Sequence, residues 1–177
     1  MTLVLVVVAK NIRSVTENNM VSPEEFYQAL PTKRGAAGVI FFNNKKQILI
    51  VKPNYRDGWL LPGGAIDDNE SPRQAAQREV KEELDLHTSK LTLVCVDYKV
   101  KHNYKPEGYF FVFYGGKLSN KEIKSITLQN EELTEMKFVD TSEAKGKLMP
   151  GIVNRLDEVM SAIKNNKAIY LENGQEV

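Results

Sequence analysis

The hydrophobic positions along this chain change period several times, and each change marks an element. Leu3 to Ala9 is a Val-rich apolar run of strand length, followed by the polar stretch NIRSVTENNM, which reads as a loop. SPEEFYQAL reads as a short helix. Ser22 is placed to cap it, Pro23 suits its first position and Glu25 can return the capping bond. Ala36 to Phe42 and Gln47 to Lys52 are apolar runs joined by NNKK, which predicts a hairpin. PNYRDGWLLPGG follows as a loop with a short apolar piece. A second helix opens at Ser71-Pro72, with Gln74 where a capping box wants it, and runs to Leu84 or Asp85. Leu91 to Val100, Tyr109 to Gly116 and the shorter Met136 to Asp140 read as strands, while Ile123 to Leu128 follows neither period. Ile152, Val153, Leu156, Val159, Met160 and Ile163 share one face of a C-terminal amphipathic helix. The tail AIYLENGQEV reads as a last short strand or as disordered.

This order lacks the regular strand-helix alternation of a parallel doubly wound fold. It predicts an α+β protein, with a mixed β-sheet between helices. Its 177 residues suit one domain that buries its own core. Within 1–177, residues 1–33 form an N-terminal extension, 34–140 the core, and 141–177 a C-terminal helix and tail.

Charge and composition remove several function classes. With 24 basic and 23 acidic residues the net charge is +1, so no nucleic-acid partner held by bulk electrostatics is expected. The one cysteine, Cys95 in LTLVCVDY, cannot form an internal disulfide and reads as a buried strand thiol, consistent with a reducing compartment. The N-terminal apolar run is too short to span a bilayer and lacks a basic flank and a cleavage site. The expectation is a soluble, cytoplasmic protein with no membrane partner. The apolar N-terminal strand and the C-terminal helix could pack internally or build a homodimer, and the pattern does not choose between them.

The second helix carries the chemistry. Glu79, Glu82 and Glu83 stand at i, i+3 and i+4 and share a face, beside an apolar stripe of Ala76, Val80 and Leu84. Three carboxylates at a half-buried edge repel one another. Local cations, Arg78 and Lys81, can offset that repulsion. So can a hard divalent cation, which prefers oxygen ligands and keeps waters for substrate phosphates. A solvated acidic face with ordinary ion pairs has the same spacing, which alone does not decide among them.

The wider context shifts the balance. Gly64, five residues, Glu70, seven residues, Arg78-Glu79-Val80, one residue, Glu82-Glu83, one residue, Asp85-Leu86 resembles the Nudix box, G-x5-E-x7-R-E-U-x-E-E-x-G-U with U a bulky aliphatic residue. One position departs: Asp85 stands where the pattern has glycine, at the helix end. Asp tolerates the left-handed conformation that ends a helix better than most residues, and no ligand is lost. The box covers 23 residues, and the looser likeness of the flanks runs from about Arg34 to Asp140.

The resemblance implies a Nudix-like α/β/α sandwich and hydrolysis of a pyrophosphate linkage in a nucleoside diphosphate joined to another moiety. It implies Mg²⁺ or Mn²⁺ as cofactor and a small-molecule nucleoside diphosphate derivative as partner. Carried over by position, Glu79 and Glu83 are principal metal ligands, Glu82 a further ligand or a water-activating group, and the Gly63 carbonyl another ligand. Glu70 and Arg78 are a salt-bridged pair that fixes the loop on the helix. The general base lies either in the box or on a later loop, where Glu131 and Glu132 are the candidates. Lys52, Tyr55, Arg56 and Trp59 lie in the loop feeding the box. The aromatic rings could stack a base and the cations could meet a phosphate, although Trp59 is equally suited to the core. His87 and His102 make no metal motif. The rival from another class is a catalytically silent Nudix-fold module that binds a nucleotide for regulation, and a third reading is an enzyme of RNA ends.

Overall fold

A computed structural model describes residues 22–177, so the expected strand at Leu3 to Ala9 and the loop after it lie outside the described residues. Lys33–Val177 form one compact unit, and the described residues before it, 22–32, belong to another. In that other unit the helix α1 (Pro23–Gln28) is closed by the expected capping box. The Ser22 N–H donates to Glu25 Oε2 at 2.8 Å, and the Glu25 N–H donates to Ser22 Oγ at 3.2 Å.

The compact unit holds a mixed sheet. Its first strands are β1 (Arg34–Phe42), β2 (Ile48–Pro53) and β3 (Gly63–Ala65), followed by helix α2 (Pro72–Leu84). Strands β4 (Thr92–Lys99) and β5 (Gly108–Lys117), helix α3 (Asn120–Ser125) and strand β6 (Leu133–Val139) come next. The chain ends with helices α4 (Thr141–Lys147) and α5 (Pro150–Lys164) and the hairpin β7 (Ile169–Glu172) and β8 (Gln175–Glu176). The strands lie in the order β6-β2-β1-β5-β4-β7-β8, with β3 paired to the first half of β1. β1–β5 and β4–β7 are parallel and the other pairs antiparallel.

Alternation along the strands makes two cores. Ala37, Val39 and Phe41 of β1, with Leu49 and Val51 of β2, face one way and meet Ala75, Ala76, Val80 and Leu84 of α2. Ile40, Ile48 and Ile50 face the other way and meet Ile152, Leu156, Val159 and Ala162 of α5. Val80 and Leu84 are fully buried, each worth roughly 1.5–3 kcal/mol relative to exposure. That anchorage holds α2 against the sheet, and therefore holds its acidic edge in place. The architecture is the expected α+β sandwich of helices on both faces of a mixed sheet.

Some expectations shift. β6 begins at Leu133 rather than Met136, pairing Pro53 with Leu133 across a bulge. Within the unassigned region after β5, α3 is capped by Ser119 and Glu122. α4 was not signalled by the apolar pattern, because it buries a single residue, Ala144. The tail is ordered as a hairpin turned at Asn173-Gly174, with Gly174 at φ +87°.

Candidate active site

The turn, β3 and α2 build the site together. Gly63 pairs with Gly38 of β1, at φ +136°, and an added Cβ would lie 2.7 Å from the Gly38 Cα. Only glycine lets the two backbones come this close. Ser71 caps α2 with Gln74 completing the capping box and Pro72 in the first turn. The helix ends at Asp85, which is left-handed at φ 55°, so the residue standing in for glycine adopts the glycine conformation. Its carboxylate pairs with Lys81 one turn back.

Arg78 organises the acids. Its Nε donates to Glu70 Oε1 at 2.9 Å and one terminal nitrogen donates to Glu70 Oε2 at 3.0 Å, a two-pronged bond. That same terminal nitrogen reaches the Ala65 carbonyl at 3.0 Å. The other terminal nitrogen donates to Glu79 at 2.9 Å and Glu82 at 3.0 Å. Arg78 thus bridges the loop before the helix to the helix itself. Its bonds to Glu70 hold that carboxyl below the ordinary range, helped by the Asp67 N–H, and Glu70 raises Arg78 in return.

The remaining carboxylates are held under tension. The Glu79 carboxylate lies on the backbone of Gly64: a Cβ there would sit 2.5 Å from its Cδ and 2.8 Å from Oε2. Burial pushes the Glu79 carboxyl up, opposed by Arg78 and aided by the nearby charges of Glu82 and Glu132. Glu83 is 5% exposed and accepts the Gly63 N–H at 2.8 Å. Burial, and then the charges of Glu79, Glu132 and Glu82, push it up to about 8 despite that bond. Glu132 thus belongs to the neighbourhood of the box acids. Its loop is tied to the end of α2 by two backbone bonds, Thr127 N–H to the Leu84 carbonyl at 3.1 Å and Gln129 N–H to the Glu83 carbonyl at 3.1 Å.

The box residues Gly63, Glu70, Arg78, Glu79, Glu82 and Glu83 are therefore brought together. They do not form a ready-made metal cage: among the described residues no three acid, histidine or cysteine side chains converge in that way. The carboxylates are met by donors of the chain instead: one Arg78 nitrogen serves both Glu79 and Glu82, and the Gly63 N–H serves Glu83. Gly63, expected to act through its carbonyl, contributes its N–H here. The donor set still suits a hard divalent cation, since all the acids offer oxygen and two of them have raised carboxyls that a nearby cation would relieve.

The four residues ahead of the box divide. Lys52, Tyr55 and Arg56 line an open groove of about 460 Å³. Lys52 is paired with Glu135 at 3.1 Å, and the Arg56 guanidinium lies 4.7 Å from the centre of the exposed Tyr55 ring. Trp59 is corrected to a core residue. It is 8% exposed, its backbone is bonded to Lys147 and Met149, and Lys137 covers its ring at 4.9 Å, which leaves no face for a base. Asn54 was missed. Its N–H and side chain donate to the Glu132 carbonyl at 2.8 Å and the Glu131 carbonyl at 2.6 Å, joining the groove to the acidic loop. A lone asparagine in a polar loop carries no sequence signal of that contact.

Comparison with known proteins bears on the family and the fold. The NUDIX domain model matches residues 32–161. An uncharacterised Nudix hydrolase of Listeria innocua is 32% identical over 142 residues, covering 70% of this chain and 77% of the relative. An RNA pyrophosphohydrolase of Ruthia magnifica is 34% identical over 83 residues, 41% of this chain, and that match spans 46% of the relative's length. In structure, the MutT protein of Methanosarcina mazei superposes with a TM-score of 0.61 at 21% identity, covering 78% of this chain and 99% of that one. Fold, box and matches together define a Nudix domain, and the chain belongs to the Nudix hydrolase family.

Proposed function

We propose that this chain hydrolyses a pyrophosphate bond in a small nucleoside diphosphate derivative, with Mg²⁺ or Mn²⁺ as cofactor. The observation that carries the reading is Glu79 seated on Gly64 beside a buried Glu83 with a strongly raised carboxyl. Glu79, Glu82 and Glu83 would hold the ion. When bound, it would neutralise phosphate oxygens and acidify water. The chain's own residues do the rest. Glu70 and Arg78 lock the loop to the helix, so the glycine turn keeps its place against Glu79 and Glu83. Glu82, half exposed, or Glu131 or Glu132, on a loop bonded to the end of α2, would accept the proton of the attacking water. Lys52, Tyr55 and Arg56 offer charge and a stacking ring in the groove tied to that loop by Asn54. The name of the Ruthia magnifica relative raises an RNA substrate, but a net charge of +1 favours a small molecule over a long polyanion. Retention of every box acid favours turnover over a silent binding module.

The test is phosphate release from nucleoside triphosphates, ADP-ribose, NADH, dinucleoside polyphosphates, nucleotide sugars and 5′-triphosphorylated RNA, with and without Mg²⁺. Metal-dependent turnover of one small-molecule class is expected, falling at least about 100-fold in Glu83→Gln with the melting temperature maintained. Full activity in Glu83→Gln would remove Glu83 from the site, and turnover of RNA alone would replace the small molecule with an RNA end.

A further inference from the structure

A second groove lies away from the box. It encloses about 570 Å³ where the β1–β2 turn, the end of β5 and the end of α5 meet, within the range of small-molecule sites. Phe42, at the end of β1, is four residues from Gly38, the partner of Gly63, roughly 13 Å along the strand. Phe42 also packs with the core on the α5 face, whereas the box helix lies on the other. The groove is therefore separate from the site proposed above.

Its lining has two parts. Phe42 and Tyr114 stand side by side, ring centres 5.8 Å apart, and continue into Met160 and Ile163 as a half-buried apolar wall. Around this wall stand Lys46, Lys117 and Lys164, and no carboxylate lines the groove among the described residues. Among the described residues none of the three lysines forms an ion pair. Three lysines around a single concavity that no carboxylate lines, in a nearly neutral chain, concentrate positive potential there. The turn that presents Lys46 is prebuilt: Asn43 Oδ1 accepts the Lys45 and Gln47 N–H groups, each at 2.9 Å.

We propose that this groove is a second ligand site, for an anion that carries an aromatic ring, of the kind a nucleoside monophosphate presents. The ring lies against Phe42 and Tyr114, and the phosphate is met by the lysines. Neither half suffices. A bare anion gains nothing from the wall, and an uncharged ring leaves three like charges unanswered.

The test uses the full chain labelled with ¹⁵N, in EDTA, titrated with AMP and separately with adenosine and inorganic phosphate. Saturable amide shifts are expected at Phe42, Tyr114 and Ile163 with AMP, at least about tenfold weaker binding of adenosine and of phosphate, and a similar loss in the triple variant Lys46→Gln/Lys117→Gln/Lys164→Gln. The three side chains are exposed, and the variant's spectrum outside the groove reports that its fold is kept. AMP shifts confined to the box, an unaltered affinity in the triple variant, or phosphate binding as tightly as AMP would each overturn the proposal.

Discussion

Gly64 has no side chain, and the Glu79 carboxylate occupies the space where one would project. Gly64→Ala must therefore push the carboxylate out, because the glycine itself is fixed by strand pairing to Ala37. Metal affinity, read by Mn²⁺ titration, is expected to fall about 10–100-fold with a small change in melting temperature. An unchanged affinity would show that Glu79 does not act from that seat. Glu83 yields a prediction about pH. Its ordinary carboxyl value is 4.5 and its folded value is raised to about 8. Between these values the folded protein binds more protons than the unfolded chain, so stability falls as pH rises through this window. In EDTA, urea unfolding of the wild type should lose on the order of 3 kcal/mol from pH 5 to pH 8. Glu83→Gln, which has no proton to lose, should lose much less. Equal slopes in the two proteins would place the Glu83 carboxyl near its ordinary value. Metal must displace the same proton, so apparent affinity should climb over the same range.

At the scale of the element, α2 shows how much the sequence discloses and where it stops. Its start, its apolar stripe and its end were all readable, because capping and 3.6-residue periodicity are local properties of the chain. Asp85 is the test of its end. It holds a left-handed conformation that costs a non-glycine residue conformational energy. Asp85→Gly removes that cost and loses only an exposed pair with Lys81. The variant should melt about 1–3 °C higher with activity unchanged, measured by calorimetry and turnover. A lower melting point would mean that the Lys81 pair outweighs the backbone. The box acids and the Glu70–Arg78 bond were legible because the motif fixes their spacing. Trp59 was not, because whether an aromatic in a loop faces core or solvent depends on Lys147 and Met149, some ninety residues on. The same holds for Asn54 and for the place of Glu132: both are set by a loop docking on the end of α2, which leaves no periodic trace. α4 was missed because it buries only Ala144, and the last hairpin was left open because its strands are only four and two residues long.

Across the whole molecule, the two faces of the sheet handle charge in opposite ways. The α2 face gathers its carboxylates around the exposed-to-buried edge of one helix, with Glu82 half exposed and Glu83 buried. The α5 face buries an ion pair. Asp97 of β4 is fully buried, and its Oδ2 lies 3.2 Å from Arg155 Nε of α5 and 3.1 Å from Lys99 Nζ. Its Oδ1 accepts the Gly174 N–H at 3.0 Å, so one carboxylate fastens both α5 and the terminal hairpin to the sheet. The Arg155 guanidinium stacks on Phe110 at 4.1 Å and donates to the Gly151 carbonyl, and the Phe110 ring in turn lies 3.2 Å from where a Gly38 Cβ would be. Burial already works against the charge on Arg155, and Asp97 is its chief support. Asp97→Ala would leave that charge buried and unpaired, at a cost of about 3–5 kcal/mol. It would also free the hairpin. Urea unfolding should show the loss, and hydrogen exchange should accelerate at Ile169–Glu172. Below the melting transition, hydrolysis should persist within a few fold, because the box is held by Arg78 and α2 from the other face. Loss of turnover in a still-folded Asp97→Ala protein would mean that the Arg155–Phe110–Gly38 stack transmits the position of α5 to the glycine turn, and that the two faces are coupled.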